Sequence, residues 1–250
     1  MRGEIAKNML SEAAGTIIEK GFNAVAIAAG FPEIALAVPI AKGLVLGSIE
    51  NCYNDFGQRT MSKREMWKLD QVNKYALLTF KEMADKDGVV AMEMNIDPAY
   101  EDYFFEVAEH VTMEAIRQSE IAKVEVLGRY YGSQFYRGSA NWQDMHQIIT
   151  MVSALTFRQI VLIRLISEGF NGIDKNLYVR NPSACVEINR LLDYGIWKTG
   201  GALLGVDDSR KMKIDSISPT TYSEQVSKEL MLDKLSNEDL GRTVDSLWLT

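Results

Sequence analysis

The stretch RYYGSQFYRGSANW, from Arg129 to Trp142, gathers the side chains best suited to binding chemistry: Arg129 and Arg137, Tyr130, Tyr131 and Tyr136, and Trp142. Guanidinium forks clamp phosphate oxygens and aromatic rings stack on bases, so the mixture suits a nucleotide or a short single-stranded oligonucleotide. The alternative is that both arginines pair with the acidic helices just upstream while the rings cover the core. Arg158 and Arg164, set among Phe157, Ile160, Val161, Leu162, Ile163 and Leu165, carry two readings of the same kind. They are buried partners of that acidic segment, or they are ligands of an anion.

Catalysis asks for a constellation, and the sequence offers none. His110 and His146 are the two histidines; His110 follows Glu109 in an acidic helix, where a solvated or partner-paired role is expected, and His146 falls early in an apolar helix, near the surface. HExxH, Walker, GxGxxG and GxSxG signatures are absent from the chain. GIWKTGGALLG holds glycines and Lys198 but not the Gly-Lys-Ser/Thr order that cradles phosphate. Cys52 and Cys185 stand far apart without CxxC spacing, so neither a disulfide framework nor a zinc site is expected. The expectation is a protein without enzymatic activity, metal or cofactor.

The elements that must position these residues read as mainly α. Ser62 and Glu65 form a capping box that opens a helix to about Asp85, with Met66, Leu69, Ala76, Phe80 and Met83 at heptad spacing around Asn73. Asp97 and Pro98 cap the next helix, Ala99 to about Gln118, and another follows through Ile121, Val124 and Leu127 to Phe135. Asp144 opens the longest apolar helix, through Ile148, Ile149, Met151, Val152, Leu155, Ile160, Ile163 and Ile166 to Glu168. Pro182 starts a helix stopped by Gly195. IWKTGGALLGV and KMKIDSI then read as two strands of a short β-hairpin, and short helices follow from Pro219 and Ser236. Helix, hairpin and helix in that order make a winged-helix-like module. Its helix carries Arg190 against Glu187 and Asp193, without the basic face that duplex DNA demands, so sequence-specific duplex binding is not expected.

The net charge of −7 hides a segregation: acidic residues dominate from Asp85 to Glu125, while Arg59, Lys63, Arg64, Lys68, Lys74 and Lys81 cluster before it. Upstream of those cations lies Phe22 to Ile49, apolar and small throughout, interrupted by Asn23, Glu33 and Lys42 and broken by Pro32 and Pro39. A bilayer-spanning helix needs about 20 apolar residues, and this run reads as a hydrophobic helical hairpin or broken helix. Gly43 and Gly47 form a GxxxG suited to close helix packing in lipid, hence to a homo-oligomer. Glu33, beside the Pro32 turn, sits at the membrane surface, or faces a partner subunit or a polar pore, where a ring of carboxylates favours cations. The alternative is a buried hairpin of a soluble bundle. Residues 4–20 read as an amphipathic helix, and their charges argue against a signal peptide. The domains so read are 1–60, amphipathic helix and membrane hairpin; 61–180, helical bundle; and 181–250, winged-helix-like module.

This order of parts resembles that of bacterial membrane effectors of anti-phage abortive infection, the Hailong-type membrane effector among them. The likeness is one of architecture over most of the chain, without a diagnostic residue motif. It implies an oligomeric channel of the inner membrane with its soluble domains in the cytoplasm, gated by a nucleotide or oligonucleotide, partnered by a nucleotidyltransferase and depolarising the cell when active. The other class in view is a soluble helical interaction or scaffold protein.

Overall fold

The computed structural model describes residues 62–87, 98–137, 141–168, 182–199 and 217–248. The hydrophobic hairpin with Glu33, Lys42, Gly43 and Gly47, the amphipathic segment before it, and the turn expected between the two strands lie outside the described residues. Those described are mostly helical, with one small antiparallel strand pair.

Helix α1, Lys63–Asp87, begins at the expected capping box: the Glu65 N–H donates to Ser62 Oγ at 3.2 Å, and the Ser62 N–H donates to Glu65 Oε2 at 2.7 Å. Its buried stripe is Lys68, Leu69, Val72, Ala76 and Thr79. The heptad reading placed Met66 in that stripe, but Met66 is exposed, because the face turned inward runs one position out of phase with it. Helix α2, Pro98–Arg117, buries Val107, Ala108, Val111, Thr112, Ala115 and Ile116, a three-and-four spacing that makes one apolar face. Helix α3 is Ile121–Arg137, with Val124, Val126 and Leu127 fully buried.

Between Asp144 and Glu168 the sequence predicts one helix, and the structure has two. Helix α4, Trp142–Ala154, and helix α5, Phe157–Ser167, meet at a break with a bend of 117°. Thr156 is extended (φ −74°, ψ 158°), its side chain accepts from the Gln159 N–H at 3.2 Å, and the Thr156 N–H donates to Gln159 Oε1 at 2.8 Å. A helix start has been written into the middle of an apolar run.

Helix α6, Pro182–Asp193, ends in a Schellman turn. The Gly195 N–H donates to the Leu192 carbonyl at 2.9 Å and the Ile196 N–H to the Leu191 carbonyl at 3.1 Å, with Gly195 at φ 69°. Leu191 and Ile196, both fully buried, supply the apolar contact that accompanies this motif. Strand β1, Trp197–Thr199, pairs antiparallel with β2, Ile217–Pro219, in the register Trp197↔Pro219, Lys198↔Ser218 and Thr199↔Ile217. Pro219 closes that strand instead of opening a helix. Thr220 is the N-cap of α7, Thr221–Glu229, accepting from the Ser223 N–H at 3.1 Å while its hydroxyl donates to the Gly195 and Ile196 carbonyls. A 3-10 turn at Leu232–Lys234 leads to α8, Asn237–Trp248, capped by Ser236 as expected.

The described residues divide into two compact units. The first takes α1, α2, α3 from Tyr131 onward, and the start of α4 to His146. Within it α1 packs on α2, and Gly132 sits so close to α1 that a Cβ would come 2.1 Å from the Ala76 carbonyl oxygen. The second takes α3 up to Tyr130, α4 from Gln147, and everything after it. There α5 is the central element, packed against α6, α7, α8 and β2, and Gln159 to Ile163, Leu165 and Ile166 are buried. A helix apolar on nearly all sides is what such a position requires. Among the described residues no single helix is long and apolar enough to cross a membrane; α4 and α5 pass that test only together, bent at their break.

Candidate functional site

The Arg129–Trp142 stretch becomes the second half of α3, the start of α4 and a connection, 138–140, outside the described residues. Tyr130 and Tyr131 are buried, at 1% and 8% exposure, and burial pushes the Tyr131 hydroxyl well above the usual tyrosine pKa. They pack; they do not line an open surface. Tyr136 meets Phe80 of α1 edge-on, ring centroids 5.7 Å apart. Arg137 is exposed on the last turn of α3, and Trp142 is exposed at the first residue of α4.

The other arginines hold carboxylates. Arg129 pairs with Glu125 one turn back on α3, Nη2 to Oε1 at 3.0 Å. Glu125 is the last acidic residue of the stretch Asp85–Glu125 and lies on Arg129's own helix, not on a helix upstream of it. Arg158 grips Glu187 of α6 with two bonds, Nε to Oε2 at 2.6 Å and Nη2 to Oε1 at 2.5 Å, and the hydrogen bonding raises its pKa further. Arg164 bonds Glu168 at 2.9 Å and the Leu235 carbonyl at 2.8 Å. The carboxylates that hold Arg158 and Arg164, Glu187 and Glu168, lie outside the acidic stretch Asp85–Glu125. These two arginines fasten α5 to its surroundings within the second unit.

The contact that sequence reading missed is between the two histidines. His110 Nδ1 and His146 Nδ1 are 2.6 Å apart, with ring centroids 4.8 Å apart and planes at 30°. Trp142 meets His146 edge-on at 6.1 Å, one turn earlier on α4. Burial is the largest cause lowering the His110 pKa; charge on His146 and on Arg117 lowers it too, against the opposing pull of Glu114. The available signal was the position of His110 between Val107 and Val111, at the margin of α2's apolar stripe. Among the described residues no group of three or more histidine, cysteine, aspartate or glutamate side chains is placed to hold a metal ion.

Two buried lysines end helices. Lys68 Nζ donates to the Ile116 carbonyl in the last turn of α2, and burial lowers its pKa. Lys123 Nζ donates to the Ser153 and Leu155 carbonyls at the end of α4. Each places a cation where the helix leaves carbonyls without partners and where its dipole is negative. No protein family, curated protein or solved structure matches the chain.

Proposed function

We propose that the chain is an oligomeric membrane effector of the anti-phage kind, inserted through Phe22–Ile49, closed or opened by a phosphate-bearing ligand on its helical region, and depolarising the membrane when active. The observation that carries this reading is the start of α1, a short way along the chain from Ile49. There Lys63 and Arg64 are exposed beside Met66 and Trp67, themselves 37% and 40% exposed. An apolar and aromatic pair next to two cations fits the headgroup layer of an anionic bilayer.

In this reading Gly43 and Gly47 bring protomers together, Lys42 snorkels, and Glu33 supplies the polar element of the pore. Arg137 and Trp142, both exposed, take the nucleotide or short oligonucleotide, as clamp and stacking platform. Arg129, Arg158 and Arg164 have structural parts of their own, in ion pairs with Glu125, Glu187 and Glu168, and Tyr130 is buried. The order α6, β1, β2, α7 supports a winged-helix-like C-terminal module, a docking surface for a partner such as a nucleotidyltransferase.

A second reading, a soluble helical interaction protein, is favoured by the use α5 makes of its apolar surface, which is spent on α6, α7 and α8. Fractionation of cells expressing the full chain, or the chain lacking Phe22–Ile49, separates the two. Membrane recovery that depends on this segment, with loss of membrane potential that Glu33→Gln alters and Arg137→Ala uncouples from ligand, supports the channel. Full-length protein that stays soluble without detergent leaves the second reading.

A further inference from the structure

We propose that His110 and His146 form a proton-operated latch between α2 and the first turns of α4, closed while a single proton lies between the two Nδ1 atoms and released when each Nδ1 carries its own. This does not depend on the membrane reading.

A distance of 2.6 Å between two ring nitrogens requires one to donate and the other to accept. In the neutral pair the donor ring carries its proton on Nδ1 and the acceptor ring carries its proton on Nε2. A first added proton goes to the unprotonated Nε2 of the donor ring, and the bridge becomes a charge-assisted bond, stronger than before. A second can bind only at the acceptor Nδ1, the atom that the bridge occupies. Two N–H groups then point at each other, on two cationic rings whose centroids are 4.8 Å apart, and the contact opens.

The surroundings push that second step to the acid side. Across the contact from α2 stands His146 itself, with the uncharged edge of Trp142 beside it. On α2, Glu114 and Arg117 are joined at 2.9 Å, so the carboxylate that favours a His110 cation is partly neutralised by the guanidinium that opposes it. None of the charges that shift the His110 pKa lies on α1, which packs against α2. Half-burial of His110 adds to this in the same direction.

The chain has 2 histidines, so full-length protein labelled with ¹⁵N-histidine shows two rings alone. The expected spectrum at neutral pH holds one Nδ1–H and one Nε2–H tautomer. On acidification the pair should titrate in two steps, separated by more than tenfold in proton affinity, with the second below the ordinary histidine range. Amide exchange over 142–146, corrected for the intrinsic pH effect, should accelerate at least tenfold through that second step. In His110→Gln, whose amide keeps a hydrogen bond without titrating, the acceleration should vanish. His146→Gln gives the reciprocal test if the first variant does not fold. Protonation of the pair without two separated steps overturns the latch. So does exchange that stays flat with pH in the wild type, or that accelerates equally in both variants.

Discussion

The Lys123 ammonium lies 2.7 Å from the Leu155 carbonyl oxygen, at the point where α4 stops and the chain turns into α5. The same ammonium bonds the Ser153 carbonyl at 2.8 Å. From three residues earlier, both carboxylate oxygens of Glu120 accept from the Phe157 N–H at 3.2 Å. The segment 120–123, at the start of α3, thus sets a cation on the negative end of one helix and an anion on the positive end of the next. Both the direction and the sharpness of the turn are held from outside it.

Lys123→Met keeps most of the stem's volume and removes the charge. Against it stand two carbonyls, that of Leu155 buried and that of Ser153 half-buried, which lose a charged donor, each such bond contributing about 1.5–3 kcal/mol; in its favour, an ammonium no longer has to be desolvated. The bonds outweigh the desolvation, because Lys123 is already satisfied. Urea unfolding should show a loss of about 2–3 kcal/mol. A change under about 0.5 kcal/mol would mean that water replaces the ammonium at the break.

Thr156→Ala removes one half of the box that starts α5. The expected cost is about 1 kcal/mol. Glu120 serves the same helix end, so Glu120→Gln combined with Thr156→Ala should cost more than the two single changes added together. A double-mutant cycle on unfolding free energies measures the coupling, and strict additivity would show that the two caps act separately.

This break also marks how far the sequence could be read. Ser62 with Glu65, Pro182 with Gly195, and Ser236 announce their helix ends because each signal stands at the edge of an apolar pattern. Thr156 and Gln159 make the same signal inside an apolar run, and the periodicity from Ile148 to Ile166 covers it. The contacts of Lys123 with Leu155, His110 with His146, and Arg158 with Glu187 join residues far apart in the sequence. Nothing local reports which helix faces will meet. The arginine and tyrosine cluster was legible as a composition, but burial decides its use, and Tyr130 and Arg137 come out on opposite sides of that decision.

Gly132→Ala tests the close approach of α3 to α1. The added carbon would stand 2.1 Å from the Ala76 carbonyl oxygen, and backbone at a helix crossing cannot swing aside as a side chain does. Overpacking of this kind costs about 1–3 kcal/mol, or more when it moves backbone. Gly241→Ala in α8, where nothing lies within 4 Å of the new carbon, is the control. It should gain about 0.5–1 kcal/mol from helix propensity. Equal effects at the two sites in thermal unfolding would place the α1–α3 crossing farther apart than 2.1 Å implies.

Arg158→Met leaves Glu187 beside α5 without its two bonds, whereas Arg158→Met with Glu187→Met removes both charges. Partial burial of both side chains makes the single change the costlier one, about 1–3 kcal/mol. The double variant should recover part of that loss. Unfolding free energies for the three variants give the coupling, and a double variant less stable than Arg158→Met would show that the carboxylate has a further role.

Alkaline pH offers the last test, through Tyr131. Burial favours its neutral hydroxyl, so its folded pKa lies above the ordinary 10.0 that the unfolded chain keeps. Below pH 10 both states hold the proton, and this group's contribution to stability is fully present. As pH rises above 10 the unfolded state loses the proton first and binds fewer protons than the folded state, so stability falls, by at most about 1.4 kcal/mol per pH unit from this group. Lysines begin to titrate in the same range, and the comparison must therefore be with Tyr131→Phe, which lacks the ionisable group and keeps the ring. Unfolding free energy measured from pH 8 to pH 11 should fall less steeply in the variant than in the wild type, the curves diverging above pH 10. Parallel curves across that range would show that the hydroxyl reaches water in the folded protein.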